Sequence, residues 1–147
     1  IRALKYGGQL ALAKLLGELL AKAVADQAHP GIILPMPLHP ARLKMRGFNQ
    51  ALEIAKVVSK RLDIPLAPGL AQRVVDTTPQ ASLPIDTRHK NVKGAFACDQ
   101  DLRGQHIALV DDVMTSGATL NELAKILKRM GAAQVDVWVV ARAVTHH

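Results

Sequence analysis

The sequence predicts an α/β fold of three layers, in which a mainly parallel central sheet is flanked by helices. Short apolar runs at Ile32 to Met36, Ile107 to Val110 and Val135 to Ala141 alternate with longer segments whose apolar residues recur at helical spacing. The run Ile107 to Val110 has no polar interruption, which suits a strand buried on both faces, as in parallel sheets. A length of 147 residues at 49% hydrophobic content is enough for one core and too little for two, so residues 1–147 are expected to form a single domain.

The elements follow in order. Leu12, Leu15, Leu16, Leu19 and Ala23 place an amphipathic helix over residues 9–27, ended by His29-Pro30-Gly31. Ile32 to Met36 is a buried strand, and Pro35 and Pro37 turn its end into a loop. His39 to Gly47 reads as a basic loop. Asn49 is the N-cap of a second helix with Ala51, Ile54, Ala55, Val58 and Leu62 on one face, stopped by Asp63-Ile64-Pro65. Residues 74–91 carry little periodicity and read as a long irregular segment, of the kind that is usually functional when it lies inside a compact domain. A short strand around Ala95 to Cys98 and a turn at Gly104 lead to the Ile107 strand. Leu120, Leu123, Ala124 and Leu127 then mark a helix closed by Gly131, and Val135 to Ala141 is the last strand. Cys98 and Trp138 are expected to pack rather than react or stack on a base.

Composition narrows the function. No segment approaches the roughly 20 unbroken apolar residues of a membrane span and no signal segment opens the chain, so a soluble cytoplasmic protein is expected. A single cysteine, Cys98, excludes an internal disulfide and a thiolate zinc cluster. The chain starts at Ile1 and ends in His146 and His147, a pair left out of metal arguments. A net charge of +7 favours polyanionic or phosphorylated partners, but an aromatic content of 3% offers little for stacking unpaired bases.

The chemistry concentrates between Ile107 and Leu120, where a buried strand runs into Asp111-Asp112, a turn of Thr115, Ser116, Gly117, Ala118 and Thr119, and a helix. Amides at a helix start are unpaired and lie at its positive end, the hydroxyls add donors, and Gly117 permits positive φ and close approach, so the turn can surround a phosphate. Two carboxylates beside such a pocket would repel the phosphate unless aimed at sugar hydroxyls or a magnesium shell. The combination points to a sugar phosphate. The plain alternative is that Asp111 and Asp112 cap the following helix.

This stretch resembles the phosphoribosyl pyrophosphate fingerprint of type I phosphoribosyltransferases. Further matches in Leu34-Pro35-Met36-Pro37-Leu38, Arg42, Arg46-Gly47-Phe48-Asn49-Gln50, Arg73, Thr77, Gln80, Leu83, Arg88, Asn91 and Gly94-Ala95-Phe96 resemble the ComF/GntX family of competence proteins, which is amidophosphoribosyltransferase-like. The resemblance implies the type I phosphoribosyltransferase fold and a ligand, phosphoribosyl pyrophosphate. It implies that Asp111 and Asp112 hold the ribose hydroxyls and that Thr115, Ser116, Gly117, Ala118 and Thr119 hold the 5-phosphate. The loop containing Pro37, Leu38, His39, Arg42 and Arg46 would hold the pyrophosphate; a guanidinium fork suits a diphosphate, although Lys44 and its neighbours could be a solvated basic loop. Arg88 and Asn91 follow the segment that corresponds to the mobile catalytic loop, so Asp111, Asp112 and Arg88 are the candidate catalytic residues, with turn stabilisation the alternative for Gln80 and Arg88. Magnesium is expected as cofactor, held through ligand and water with no direct protein ligand. The acceptor-reading hood should come mainly from residues 1–30.

The family usually begins with a four-cysteine zinc module. This chain carries no cysteine before Cys98, and Lys5-Tyr6-Gly7 resembles the stretch just after that module, so its removal is the expectation. Three functions stay open: a phosphoribosyltransferase with a role in DNA uptake or utilisation; a non-catalytic accessory that binds single-stranded DNA and works with a competence helicase or recombination proteins; and a regulator that senses phosphoribosyl pyrophosphate.

Overall fold

A computed structural model of the chain describes residues 2–75, 94–114 and 117–142. Its sheet is parallel, with β1 (Ile32–Pro35), β4 (His106–Met114) and β5 (Gln134–Arg142) side by side and β4 in the middle. Ile32 pairs with Ile107 and Val110 with Trp138, so the apolar runs of the sequence lie abreast. β2 (Gln72–Arg73) and β3 (Phe96–Ala97) form a separate antiparallel pair.

Alternation along the strands sends side chains into two cores. One face gives Ile33, Ala108, Val110 and Trp138 to a core completed by α1 (Arg2–Val24) and α3 (Gln50–Leu62). The other gives Leu34, Ile107 and Leu109 to a core completed by Phe96, Ala71 and α4 (Ala118–Arg129), which contributes Leu120, Leu123 and Leu127. These are the three layers expected.

Caps and stops behave as the sequence indicates in several places. The Asn49 side chain accepts from the Leu52 amide and starts α3, and Asp63 at φ 55° ends it. Gly104 and Gly131 take positive φ. Trp138 is buried, its indole N–H donating to the Gln27 side chain at 3.3 Å. Cys98 packs half-buried against the second core.

Three expectations need correction. The basic loop is instead a short helix, α2 (Pro40–Arg46), because Pro40 is pre-set for a first helical position and His39 Nδ1 accepts from the Ala41 amide as its cap. The buried face of α1 is Ala13, Leu20, Ala21 and Val24, whereas Leu12, Leu15 and Leu19 are exposed. This helix is apolar nearly all round, so spacing alone did not choose a face. Gly17 chose it: a Cβ there would lie 2.6 Å from Val57 Cβ, and only a glycine lets α1 and α3 cross so closely. The stretch Ala13 to Val24 is thus part of a helical layer over the sheet. Finally, β4 runs beyond Val110 through the acid pair to Met114.

Candidate functional site

The candidate residues gather where the parallel strands end, the place at which open α/β sheets present their clefts. β1 and β4 are neighbours, and the Met36 amide, one residue beyond β1, donates to the Val110 carbonyl at 2.8 Å. That bond sets Pro37, Leu38 and His39 beside the strand that continues into Asp111 and Asp112. Asn49 fixes the far side of the same turn, since its side chain donates to the Met36 carbonyl at 3.0 Å while capping α3. Pro37 is buried, Leu38, His39 and Arg42 are half-buried, and Arg46 is exposed on the last turn of α2. The His39 ring is used in capping α2, which agrees with reading it as a structural loop histidine rather than an acid or base.

Asp111 and Asp112 are both half-buried and belong to a strand. The N-cap position of α4 is Gly117, with φ 80° and its carbonyl accepting from the Asn121 amide at 2.8 Å, so neither acid occupies that position. Because Gly117 brings no side-chain acceptor, the first amides of α4 face the turn without a cap from that residue. Ala118 is buried and Thr119 half-buried at this start. Thr115, Ser116, Gln80, Arg88 and Asn91 lie outside the described residues.

The acids perturb each other. Burial foremost, then a hydrogen bond and charge repulsion from the Asp112 carboxyl, push the Asp111 carboxyl up to about 8. The Asp112 amide, which donates to Asp111 Oδ1 at 2.9 Å, and the positive charge of Arg73 pull the other way. Near neutral pH Asp111 therefore keeps its proton. A carboxyl beside a carboxylate offers one O–H donor and several acceptor positions, a set that matches a vicinal diol, whose hydroxyls each donate and accept.

Arg73 is the feature of this site to which the sequence reading gave no role. It sits on β2 opposite Phe96, with its guanidinium carbon 5.4 Å from the centre of the Phe96 ring. The family resemblance includes Arg73, but its role could not be read from the sequence, because β2 has only two residues and its partner strand lies more than twenty positions away.

A second polar cluster lies at the opposite end of the sheet, where His106 Nε2 is 2.6 Å from Asp136 Oδ2 and the Gln134 side chain donates to Asp136 Oδ1 at 3.0 Å. Burial raises the Asp136 carboxyl, but the hydrogen bonds from Gln134 and His106 outweigh it and hold the group below the usual carboxylate range. This cluster joins adjacent strands and is remote from the acid pair.

The family profile of the phosphoribosyl transferase domain matches residues 49–145, which contain the acid pair and the α4 turn. Competence protein F of Haemophilus influenzae is 37% identical over 97% of this chain. DNA utilization protein YhgH of Escherichia coli strain K12 is 33% identical over 98% of it. The chain spans 66% of the length of each of these relatives, just under two thirds. Among solved structures, an allosteric regulatory enzyme of purine biosynthesis superposes with a TM-score of 0.61 at 20% identity, covering 91% of this chain and 26% of that one, which supports the fold alone. The chain has the type I phosphoribosyltransferase fold and belongs to the phosphoribosyl transferase domain family, as a relative of competence protein F and the DNA utilization proteins YhgH.

Proposed function

We propose that the protein binds phosphoribosyl pyrophosphate at the carboxyl ends of β1 and β4 and transfers its phosphoribosyl group to an acceptor, in the service of DNA uptake or utilisation. The observation that carries this reading is the Met36 to Val110 hydrogen bond, which sets the Pro37 turn beside the strand that continues into the acid pair. The names of the relatives support the cellular role.

In this reading Asp111 and Asp112 receive the ribose hydroxyls. The amides of Gly117, Ala118 and Thr119, with the hydroxyls of Thr115 and Ser116, receive the 5-phosphate. The diphosphate lies against residues 37–39, with Arg42 and Arg46 at its edge. An acceptor lone pair attacks ribose C1 as the bond to the diphosphate oxygen breaks, and pyrophosphate leaves with that electron pair. Positive charge builds on the sugar in the transition state, and the half-ionised acid pair is placed to stabilise it. Arg88 would close over the ligand. No protein nucleophile is needed, because the work is positioning and charge stabilisation.

Among the described residues no three His, Cys, Asp or Glu side chains converge as a metal cage. Magnesium retains several waters and takes substrate phosphates, so the diphosphate itself, beside an acid pair, is a fitting donor set. When bound there it would neutralise the leaving diphosphate.

No helix among the described residues is long and apolar enough to cross a membrane, and a cytoplasmic location is part of the proposal. Calorimetric titration with magnesium and phosphoribosyl pyrophosphate tests the site. Binding should disappear in Asp111→Ala/Asp112→Ala with the circular dichroism retained, and undiminished affinity would sink the assignment. Pyrophosphate release with a panel of nucleobases then separates transfer from sensing. Salt-dependent affinity for an oligonucleotide, without turnover, would favour the DNA-binding accessory, which the net charge of +7 admits.

A further inference from the structure

Two carboxyl groups at the end of β4 pose a problem for any anionic ligand, and among the described residues Arg73 brings a cation to meet it. Along β4 the alternation that sends Ile107 and Leu109 into the Phe96 core continues to Asp111, two residues on. The face of the sheet that carries the acid is thus the one covered by Phe96. Arg73 lies on that ring, held by the β2 to β3 ladder, in which it pairs directly with Phe96, and by the Val74 amide, which donates to the Ala95 carbonyl at 2.7 Å. Arg73 is half-buried with its guanidinium over an aromatic face, a placement that limits the directions its charge can take.

We propose that Arg73 is the counter-ion of the acid pair, a positioning residue whose charge allows two carboxyl groups to share a pocket with an anionic sugar phosphate. This rests on the proposed function for the identity of the ligand, and on the structure for the relation of Arg73 to the acids. Among the described residues, the charged groups acting on Asp111 are Asp112 on its own strand and Arg73 from β2. β5 sets Val139 opposite Asp111, β1 sets Pro35 opposite the preceding Val110, and α4 turns Leu120, Leu123 and Leu127 to this face. Arg73 opposes the burial and repulsion that favour the protonated acid. Without it Asp111 would hold its proton to higher pH, and the remaining carboxylate would meet an incoming phosphate uncompensated.

Two measurements test this separately from the ligand. Carboxyl 13C NMR of the unliganded protein should show the upper titration of the pair moving up by about one pH unit in Arg73→Met, and staying near its wild-type position in Arg73→Lys. Calorimetry at pH 7 with magnesium and phosphoribosyl pyrophosphate should show about tenfold weaker binding in Arg73→Met, restored by Arg73→Lys, as expected for losing one partly screened charge near an anionic ligand. Arg73→Gln serves as the neutral variant if Arg73→Met does not fold. An unmoved titration in a folded neutral variant overturns the proposal whatever the affinities. A wild-type protein that binds no phosphoribosyl pyrophosphate refutes the proposed function instead, and the titration still decides the role of Arg73.

Discussion

Replacing Asp111 by Asn should stabilise the protein at pH 9 by about 2 kcal/mol more than it does at pH 5. The folded state raises this carboxyl from 3.8 to about 8. Below about pH 4 both folded and unfolded chains carry the proton. Between about pH 4 and 8 the folded chain keeps a proton that the unfolded chain has released, so stability falls as pH rises through this window, and above it the loss is complete. From pH 5 to 8 the span is about three pH units, which at about 1.36 kcal/mol each sets a ceiling of about 4 kcal/mol. The carboxyl is only half-buried and titrates jointly with Asp112, which reduces the expected effect to roughly half that ceiling. Asn has nearly the same shape and carries no charge in either state, so it escapes the penalty. Urea unfolding at pH 5 and pH 9 reads the difference as a midpoint gain of about 1 M at the higher pH. A gain of the same size at both pH values would refute the reasoning, since it would trace to packing and not to ionisation.

Arg46→Ala should weaken pyrophosphate binding by about tenfold while leaving ribose 5-phosphate nearly unchanged in calorimetry, because a guanidinium on the last turn of α2 meets only the diphosphate end. Equal weakening of both ligands would argue for a structural Arg46. Gly17→Ala should lower thermal stability by about 1–3 kcal/mol, although alanine favours a helix by about 1 kcal/mol, because the new methyl would lie 2.6 Å from Val57 Cβ and 3.0 Å from the Ile54 carbonyl. A melting temperature equal to or above wild type would mean that α1 and α3 do not cross at that point.

The sheet was legible because its strands declare themselves as uninterrupted apolar runs: Ile107, Leu109 and Val110 are all fully buried. The start of α3 was equally plain, since Asn49 precedes a clean amphipathic face. Helix α1 was legible as a helix but not in its orientation, for a helix with leucine on most sides gains as much by spacing from one face as from another. What decided the matter was a close crossing at Gly17, a contact with α3 that no local pattern contains. The short helix after β1 was hidden for a different reason: Pro-Ala-Arg-Leu-Lys-Met-Arg buries no side chain, so it has no apolar face to announce it. Within the site, the acid pair and the Gly117 turn stood out because strand, acids and small residues follow one another along the chain. Arg73 did not, because its relation to Asp111 is made across the Phe96 ring by two short strands that are far apart in sequence.

The cost of the acid pair is itself an argument about use. A carboxyl lifted to about 8 is a charge the fold would keep more easily as an amide, and the only backbone donor recorded for Asp111 among the described residues is the amide of the next residue. Both acids lie on β4, and the N-cap position of α4 is taken by Gly117. Asp111 lies at the end of the central strand, with Arg73 set on the same side and the Pro37 turn on its flank. A group that weakens the fold above neutral pH is accounted for by something that arrives from outside, and a ribose diol is a partner whose donors and acceptors match a carboxyl set beside a second one. If Asp111→Asn proved more stable at pH 9 and also bound phosphoribosyl pyrophosphate as well as wild type does, that account would fail at its centre, because the ionisable pair would then have a cost and no function.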